Sequence, residues 1–294
     1  MCIKPVADNQ LFNRLQSLTK EKAKNMLLNE REEFRLEREL SIVQEGGVAD
    51  IFLCLYDTMV ALKECGAVFH GLIHCSFLCY VLGLSKVNPF DYGLVFERFF
   101  HQNKKYFPLV NIAVSVGYKE KALDILAQRN FTLEYNLEEA KISEYRIFTD
   151  EEIYQKVLSA FPNHDFEFMK KYQGIEEVEE IFYKPNGRFI YQEQFFEICK
   201  KFLWVSSAKA VEFRKSLLTF NWDFTRREKY QGIEYFNRQF AQRQKEVKTI
   251  KTLFWRRADE EGVELFEYLQ KGMPYAVSKA YIIGLLFLDF GESE

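Results

Sequence analysis

The sequence predicts an α+β chain, mostly helical, in which a small sheet with helical cover is followed by a helical region. Three observations predict this. Residues 67–100, AVFHGLIHCSFLCYVLGLSKVNPFDYGLVFERFF, read as a short strand, a glycine turn, a buried helix, a polar loop and a second amphipathic turn. After Pro108 the β-branched residues alternate as in a strand, and a helical pattern takes over at 119–128. Thr149, with Glu152 three residues on, forms a capping pair that opens a helix-rich second half. The expected organisation is an N-terminal helical segment at 1–47, an α/β region at 48–148 and a helical region at 149–294.

Taken in order, residues 11–40 are charge-dense with leucines at helical spacing, which predicts one or two helices with a polar exterior. Gly46 and Gly47 break that pattern. Residues 48–65 (VADIFLCLYDTMVALKEC) are apolar on nearly all sides, so a buried helix is expected, stopped by Gly66. A strand belongs within 103–116, a helix at 119–128, and short strands near 131–135 and at 142–148. Beyond Thr149, turns are expected at Gly174 and at Pro185-Asn186-Gly187. Helices are expected at 191–203, 206–218, 230–259 and 277–288, with Ser206 as an N-cap. The glutamate pairs Glu176-Glu177 and Glu179-Glu180 read as solvated.

Composition bounds the function. The chain has 294 residues, 48% of them hydrophobic, with 29 Phe and 16 Tyr, so its core should be built largely from rings. Its six cysteines (Cys2, Cys54, Cys65, Cys75, Cys79, Cys199) are scattered through apolar runs, as buried thiols of a reducing cytoplasm would be. No leader-like apolar segment opens the chain and no stretch is long enough to span a bilayer, so a cytoplasmic protein without a membrane partner is expected. The net charge of −3 hides two opposed patches: residues 201–260 carry 14 basic against 7 acidic side chains, and residues 134–180 carry 5 basic against 13 acidic. The basic segment, with its Phe, Tyr and Trp residues, is either a phosphate-contacting surface or a set of solvated helix faces.

Several motifs carry a family resemblance. Tyr80, Leu82 and Gly83, followed by Asn88-Pro89-Phe90-Asp91-Tyr92-Gly93-Leu94-Val95-Phe96-Glu97-Arg98-Phe99, resemble a palm motif of the alpha subunit of bacterial DNA polymerase III, the C-family replicative polymerases. That family has Tyr-x-Leu-Gly and then Asp-Pro-x-x-Tyr-Gly-Leu-x-Phe-Glu-Arg-Phe. Ala49-Asp50-Ile51-Phe52-Leu53 with Asp57 resembles a second palm block. Three further blocks are similar to its fingers: 188–194 with Tyr191-Gln192-Glu193-Gln194, 206–216 with Arg214-Lys215, and Phe266-Glu267 followed by 275–281. The resemblance covers about residues 35–288, with intervening segments shortened and no room for the family's amino-terminal phosphatase-like or carboxy-terminal clamp-binding regions. It implies a reduced, nucleotidyltransferase-like palm at 48–148 and a fingers-like region after it.

The chemistry the resemblance implies is incomplete in these residues. Nucleotidyl transfer uses two divalent ions about 3.5–4 Å apart, held by carboxylates projecting from one face of a strand. The family's Pro-Asp-x-Asp-x-Asp falls on Pro108-Leu109-Val110-Asn111-Ile112-Ala113, where Leu109, Asn111 and Ala113 stand at the carboxylate positions. Its phosphate-cradling Gly-Arg-Gly-Ser turn falls on Phe69-His70-Gly71-Leu72, keeping one glycine. Candidate phosphate- or DNA-binding residues are Gly71, Lys209, Arg214, Lys215, Arg226, Arg227 and Lys279, while Tyr191 to Gln194 read as retained for structure. His70, His74, Cys75 and Cys79 lie within ten residues but in apolar surroundings, as core residues and not metal ligands.

The leading expectation is a degenerate relative without polymerase activity, a pseudoenzyme scaffold that binds DNA through 201–260 or a replication or repair protein. It needs no cofactor, and Mg²⁺ is expected only of an active enzyme. The alternatives are an active polymerase with relocated carboxylates at Asp124, or at Asp57 with Asp91, and a purely protein-binding module using the acidic segment.

Overall fold

A computed structural model describes residues 9–101, 107–129, 131, 133–161, 171–183, 187–220 and 233–290. The chain folds as α+β, mostly helical, with one small mixed sheet. It divides into two compact units, one made of residues 1–148 with 280–294 and the other of residues 149–279.

In the first unit the charge-dense opening forms α1 (Asn9–Ala23) and α2 (Glu30–Glu45). Asn29 starts α2 with a capping box: its side chain accepts from Glu32 N while Glu32 accepts from Asn29 N. Gly46 and Gly47 end it, Gly47 with a φ of +59°. The apolar run forms α3 (Ala49–Ala61), followed by one 3₁₀ turn at Lys63–Cys65 that Gly66 closes in the left-handed conformation. Ser115 lies where a Cβ on Gly66 would stand, 2.4 Å away, so both geometry and space require glycine there.

The stretch 67–100 forms β1 (Val68–His70), a 3₁₀ turn at Gly71–Cys75, α4 (Phe77–Val81), a second 3₁₀ turn at Pro89–Tyr92 and α5 (Phe96–Phe99). Then come β2 (Val110–Ser115), α6 (Lys119–Gln128) and β3 (Tyr135–Ile142). One eight-residue strand thus replaces the two expected at 131–135 and 142–148. The pairing fixes it, because β3 runs parallel to β2 in register from Val110↔Tyr135 to Ser115↔Ala140, with α6 as the crossover. The strand order is β1-β2-β3-β4, with β1 antiparallel to β2 and β4 (Leu288–Asp289) antiparallel to β3. Rings do build the core: Phe52 and Phe99 both meet Phe107 edge-on, at 6.0 and 5.2 Å. Cys65, Cys75, Cys79 and Cys199 are buried, while Cys54 is half-buried.

In the second unit, Thr149 and Glu152 form the expected capping box at the start of α7 (Asp150–Ala160). The glutamate pairs are exposed, as expected, and the run that carries them is helical. It forms α8 (Glu176–Tyr183), whose Val178 and Phe182 are buried at i, i+4 while Glu176, Glu177 and Glu179 occupy the first turn, where the helix dipole favours negative charge. The remaining helices are α9 (Gln192–Lys201), α10 (Ser207–Phe220) and α11 (Ile233–Gly272), with α12 (Lys279–Phe287) passing from this unit to the first. α11 runs past the expected end at 259 because it is two helices joined at a sharp break, Ala258 and Asp259. The legs fold back on one another: Lys251 pairs with Glu267 at 2.7 Å and Phe254 meets Phe266 at 5.8 Å. Gly262 permits this approach, since a Cβ there would lie 2.1 Å from the Phe254 carbonyl oxygen. Among the described residues no helix is long and apolar enough to cross a membrane.

Candidate functional site

The motif at 88–99 is a packing device. Asn88 Oδ1 accepts from Phe90 N at 3.1 Å, and Gly93 closes that turn in the left-handed region at φ +65°. Tyr92 Oη accepts from Phe148 N at 2.9 Å and from Tyr145 Oη at 3.1 Å. The carbonyl of Leu94 accepts from Arg35 Nη2 at 3.3 Å, and buried Glu97 pairs with Arg38. Behind these contacts stands Glu39, a fully buried carboxylate of α2 that the charge-dense sequence concealed. It accepts from Arg35 Nε, Ser76 Oγ, Phe77 N and Leu78 N, and so caps α4 from another helix.

The face of β2 that would carry chemistry is the one shared by Leu109, Asn111 and Ala113. Alternation and register place His70 and Asn136 beside Asn111, and Val68 and Glu138 beside Ala113. Leu109 is 50% exposed, Asn111 half-buried and Ala113 0% exposed. Gly71, in the expected glycine turn, has a left-handed backbone, φ +78°, and the Asn111 Nδ2 atom sits 2.9 Å from where its Cβ would be. The turn is also roofed: a Cβ on Gly284 of α12 would stand 3.5 Å from His70 Cβ and 3.9 Å from Gly71 N, and the His70 ring lies 5.5 Å from that of Phe290. Gly71 is buried beneath this roof.

Among the residues paired with Asn111 and Ala113, Glu138 is the carboxylate, and sequence reading missed it because YNLEEAKI alternates too weakly to show which glutamate points which way. Its neighbour Glu139 points to the other side and accepts from Gly117 N and Lys119 N at the entry to α6. The relocated carboxylates do not join it. Asp124 is exposed on α6, Asp57 on α3 lies 3.7 Å from Arg14, and Asp91 is exposed in the 89–92 turn, where burial and Glu32 raise its carboxyl above the usual value. Among the described residues no three His, Cys, Asp or Glu side chains are grouped so as to hold a metal ion.

His70 and His74 are core residues. Burial pushes His70 down to about 4, against the pull of Glu138, and fully buried His74 down to about 3. His74 Nδ1 lies 2.9 Å from Ser85 Oγ. Both folded-state values fall below the ordinary 6.5, so the stability that neutral imidazoles permit is present above pH 6.5 and is lost as pH falls through about 4 and 3. The expected result is a urea midpoint that drops between neutral pH and about pH 4, with a shallower drop in His74→Phe.

In the second unit, the Tyr191-Gln192-Glu193-Gln194 run fastens the segment 276–279. Gln192 Nε2 donates to Ala276 O at 2.8 Å, and Glu193 accepts from Ser278 Oγ and Lys279 N at 3.2 and 3.0 Å. Gln194 Oε1 accepts from Ile190 N and Tyr191 N, both at 2.8 Å. Lys279 Nζ lies 3.4 Å from Asp150 and 4.8 Å from the Tyr191 ring, so its charge is engaged internally. Lys209 pairs with Glu212 at 2.9 Å, while Arg214 and Lys215 are half-buried on α10. Arg226 and Arg227 lie outside the described residues.

These features define a class: a mostly helical α+β protein with one small mixed sheet and buried helix-capping loops. The chain belongs to the bacterial DNA polymerase III alpha family, whose NTPase-domain model matches residues 10–158, just over half of it. It is 31% identical over 97 residues to an error-prone DNA polymerase of Anaeromyxobacter dehalogenans, covering 32% of this chain and 9% of that protein. It is 32% identical over 81 residues to the DNA polymerase III subunit alpha of Halalkalibacterium halodurans, covering 26% of this chain and 7% of the other. With the same subunit of Ureaplasma parvum it shares 26% over 98 residues, 32% of this chain and 10% of that one. The aligned stretches thus span a tenth or less of these relatives' length.

Proposed function

We propose that this chain retains the polymerase scaffold without nucleotidyl transfer and binds nucleic acid through its basic segment, 201–260. The observation that carries the first half is the β2 face. Ala113 is fully buried, Asn111 is packed against Gly71, and of the residues paired with these two only Glu138 is a carboxylate, where two metal ions and a triphosphate would need several. A neutral amide does not offset that charge. The second half is supported by the excess of 14 basic over 7 acidic side chains in 201–260, and by membership of a DNA polymerase family.

The test is the binding of a fluorescent oligonucleotide across a salt series. Affinity should fall with salt, with a logarithmic slope of about −0.7 for each phosphate contacted on a single strand. Absence of binding at low salt would overturn the nucleic-acid reading in favour of a protein-binding module using the acidic segment 134–180.

A further inference from the structure

The first non-helical residues after α9 carry an unusual side chain. Phe202 N and Leu203 N both turn back to Ile198 O, at 2.8 and 3.2 Å, and Val205 N turns back to Cys199 O at 3.0 Å. A left-handed residue just past a helix end is usually glycine. Here that residue is Trp204, at φ +54°. A non-glycine side chain in this region costs roughly 1–2 kcal/mol, and the indole recovers little by burial, being 73% exposed.

The exposed ring is held in a specific setting. The Arg257 guanidinium lies 4.0 Å from the Trp204 ring centroid and 5.5 Å from that of Phe202, which in turn packs on Phe254 at 6.1 Å. Arg257 ends the first leg of α11, immediately before the break whose Asp259 has φ +46°. Trp204 and Asp259 are the two non-glycine residues with positive φ among the described residues, and together they frame this one feature. Lys200 and Arg256 are exposed nearby in sequence, and Lys201 pairs with Glu197 at 2.6 Å. The acidic side chains Asp259, Glu260 and Glu261 lie beyond the break.

We propose that Trp204, backed by Arg257, is a stacking platform for an unpaired base of single-stranded nucleic acid. The inference rests on the nucleic-acid reading of the basic segment and specifies what that segment receives. Backbone strain kept in order to display an indole points to a ligand for the ring. A flat, exposed π-face with a guanidinium behind it, within a segment rich in basic residues, suits a base and its phosphates. In a duplex the base faces are already stacked, so the platform selects the single strand.

The experiment uses the full chain with Trp255→Phe and Trp222→Phe, leaving Trp204 as the one indole, titrated with a short oligothymidylate and with a duplex at low salt. Single strand should quench the Trp204 emission and duplex should not. In the otherwise native chain Trp204→Ala should weaken single-strand binding by roughly 5- to 150-fold, the range expected for one stacked base, while Trp204→Phe keeps part of it. Trp204→Gly should lose the same binding with no fall in thermal midpoint, because glycine relieves the left-handed strain. Salt-dependent binding without quenching, or unaffected by Trp204→Ala, overturns the platform and leaves the nucleic-acid reading intact. No binding by the unmutated chain overturns both. Quenching by a protein partner alone would assign the ring to a protein interface and likewise overturn the platform.

Discussion

Glu39→Ala is expected to lower the unfolding free energy of the first unit by about 3–5 kcal/mol, the cost of breaking a buried ion pair by removing one partner. Glu39 is fully buried, and it accepts from Arg35 Nε at 2.5 Å, Ser76 Oγ at 2.9 Å, Phe77 N at 3.1 Å and Leu78 N at 3.0 Å. Its loss leaves the Arg35 guanidinium, which also donates to the carbonyls of Cys75 and Leu94, without its anion. It also orphans the first amides of α4 in an apolar interior, each a further penalty. Chemical denaturation followed by circular dichroism measures this. Glu39→Gln, which keeps the shape and some acceptor capacity, should fall between the two, and a loss below about 1 kcal/mol would contradict the role given to Glu39.

Ala113→Asp is expected to cost a similar amount, about 3–5 kcal/mol, although it places a carboxylate where the family resemblance implies a metal ligand. Ala113 is 0% exposed and lies in register between Val68 and Glu138, so a new carboxylate would be buried beside an existing one. Leu109→Asp on the same face provides the contrast. Leu109 is 50% exposed, and its replacement should stay within about 0.5 kcal/mol. Equal tolerance of both would mean that the face is open along its length.

How much of this was legible in the sequence depended on whether the signal was local. The capping box at Thr149, the left-handed Gly66 and Gly71, and the span of α6 are set by neighbours in the chain, and residues 149–152, 66, 71 and 119–128 announce them. The position of β3 is set by its pairing with β2, which no local pattern in YNLEEAKI encodes. α8 was hidden because its apolar contribution is only Val178 and Phe182 among glutamates. The break in α11 depends on a contact between Gly262 and Phe254, eight residues apart in number but brought together by the turn. For the candidate site, the absence of carboxylate side chains at 109, 111 and 113 was readable from residue types alone. The roof over Gly71 was not, because Gly284 and Phe290 come from the far end of the chain. Glu39 shows the same limit: its i, i+4 partner Arg35 is visible in the sequence, but its burial against residues 76–78 is not.

The central claim is that the palm face no longer supports nucleotidyl transfer, and template–primer extension with Mg²⁺ or Mn²⁺ and the four deoxynucleoside triphosphates tests it most directly. The account predicts a primer of unchanged length with either ion. Extension by the purified chain that disappears on Glu138→Gln, the one carboxylate beside Ala113, would contradict it.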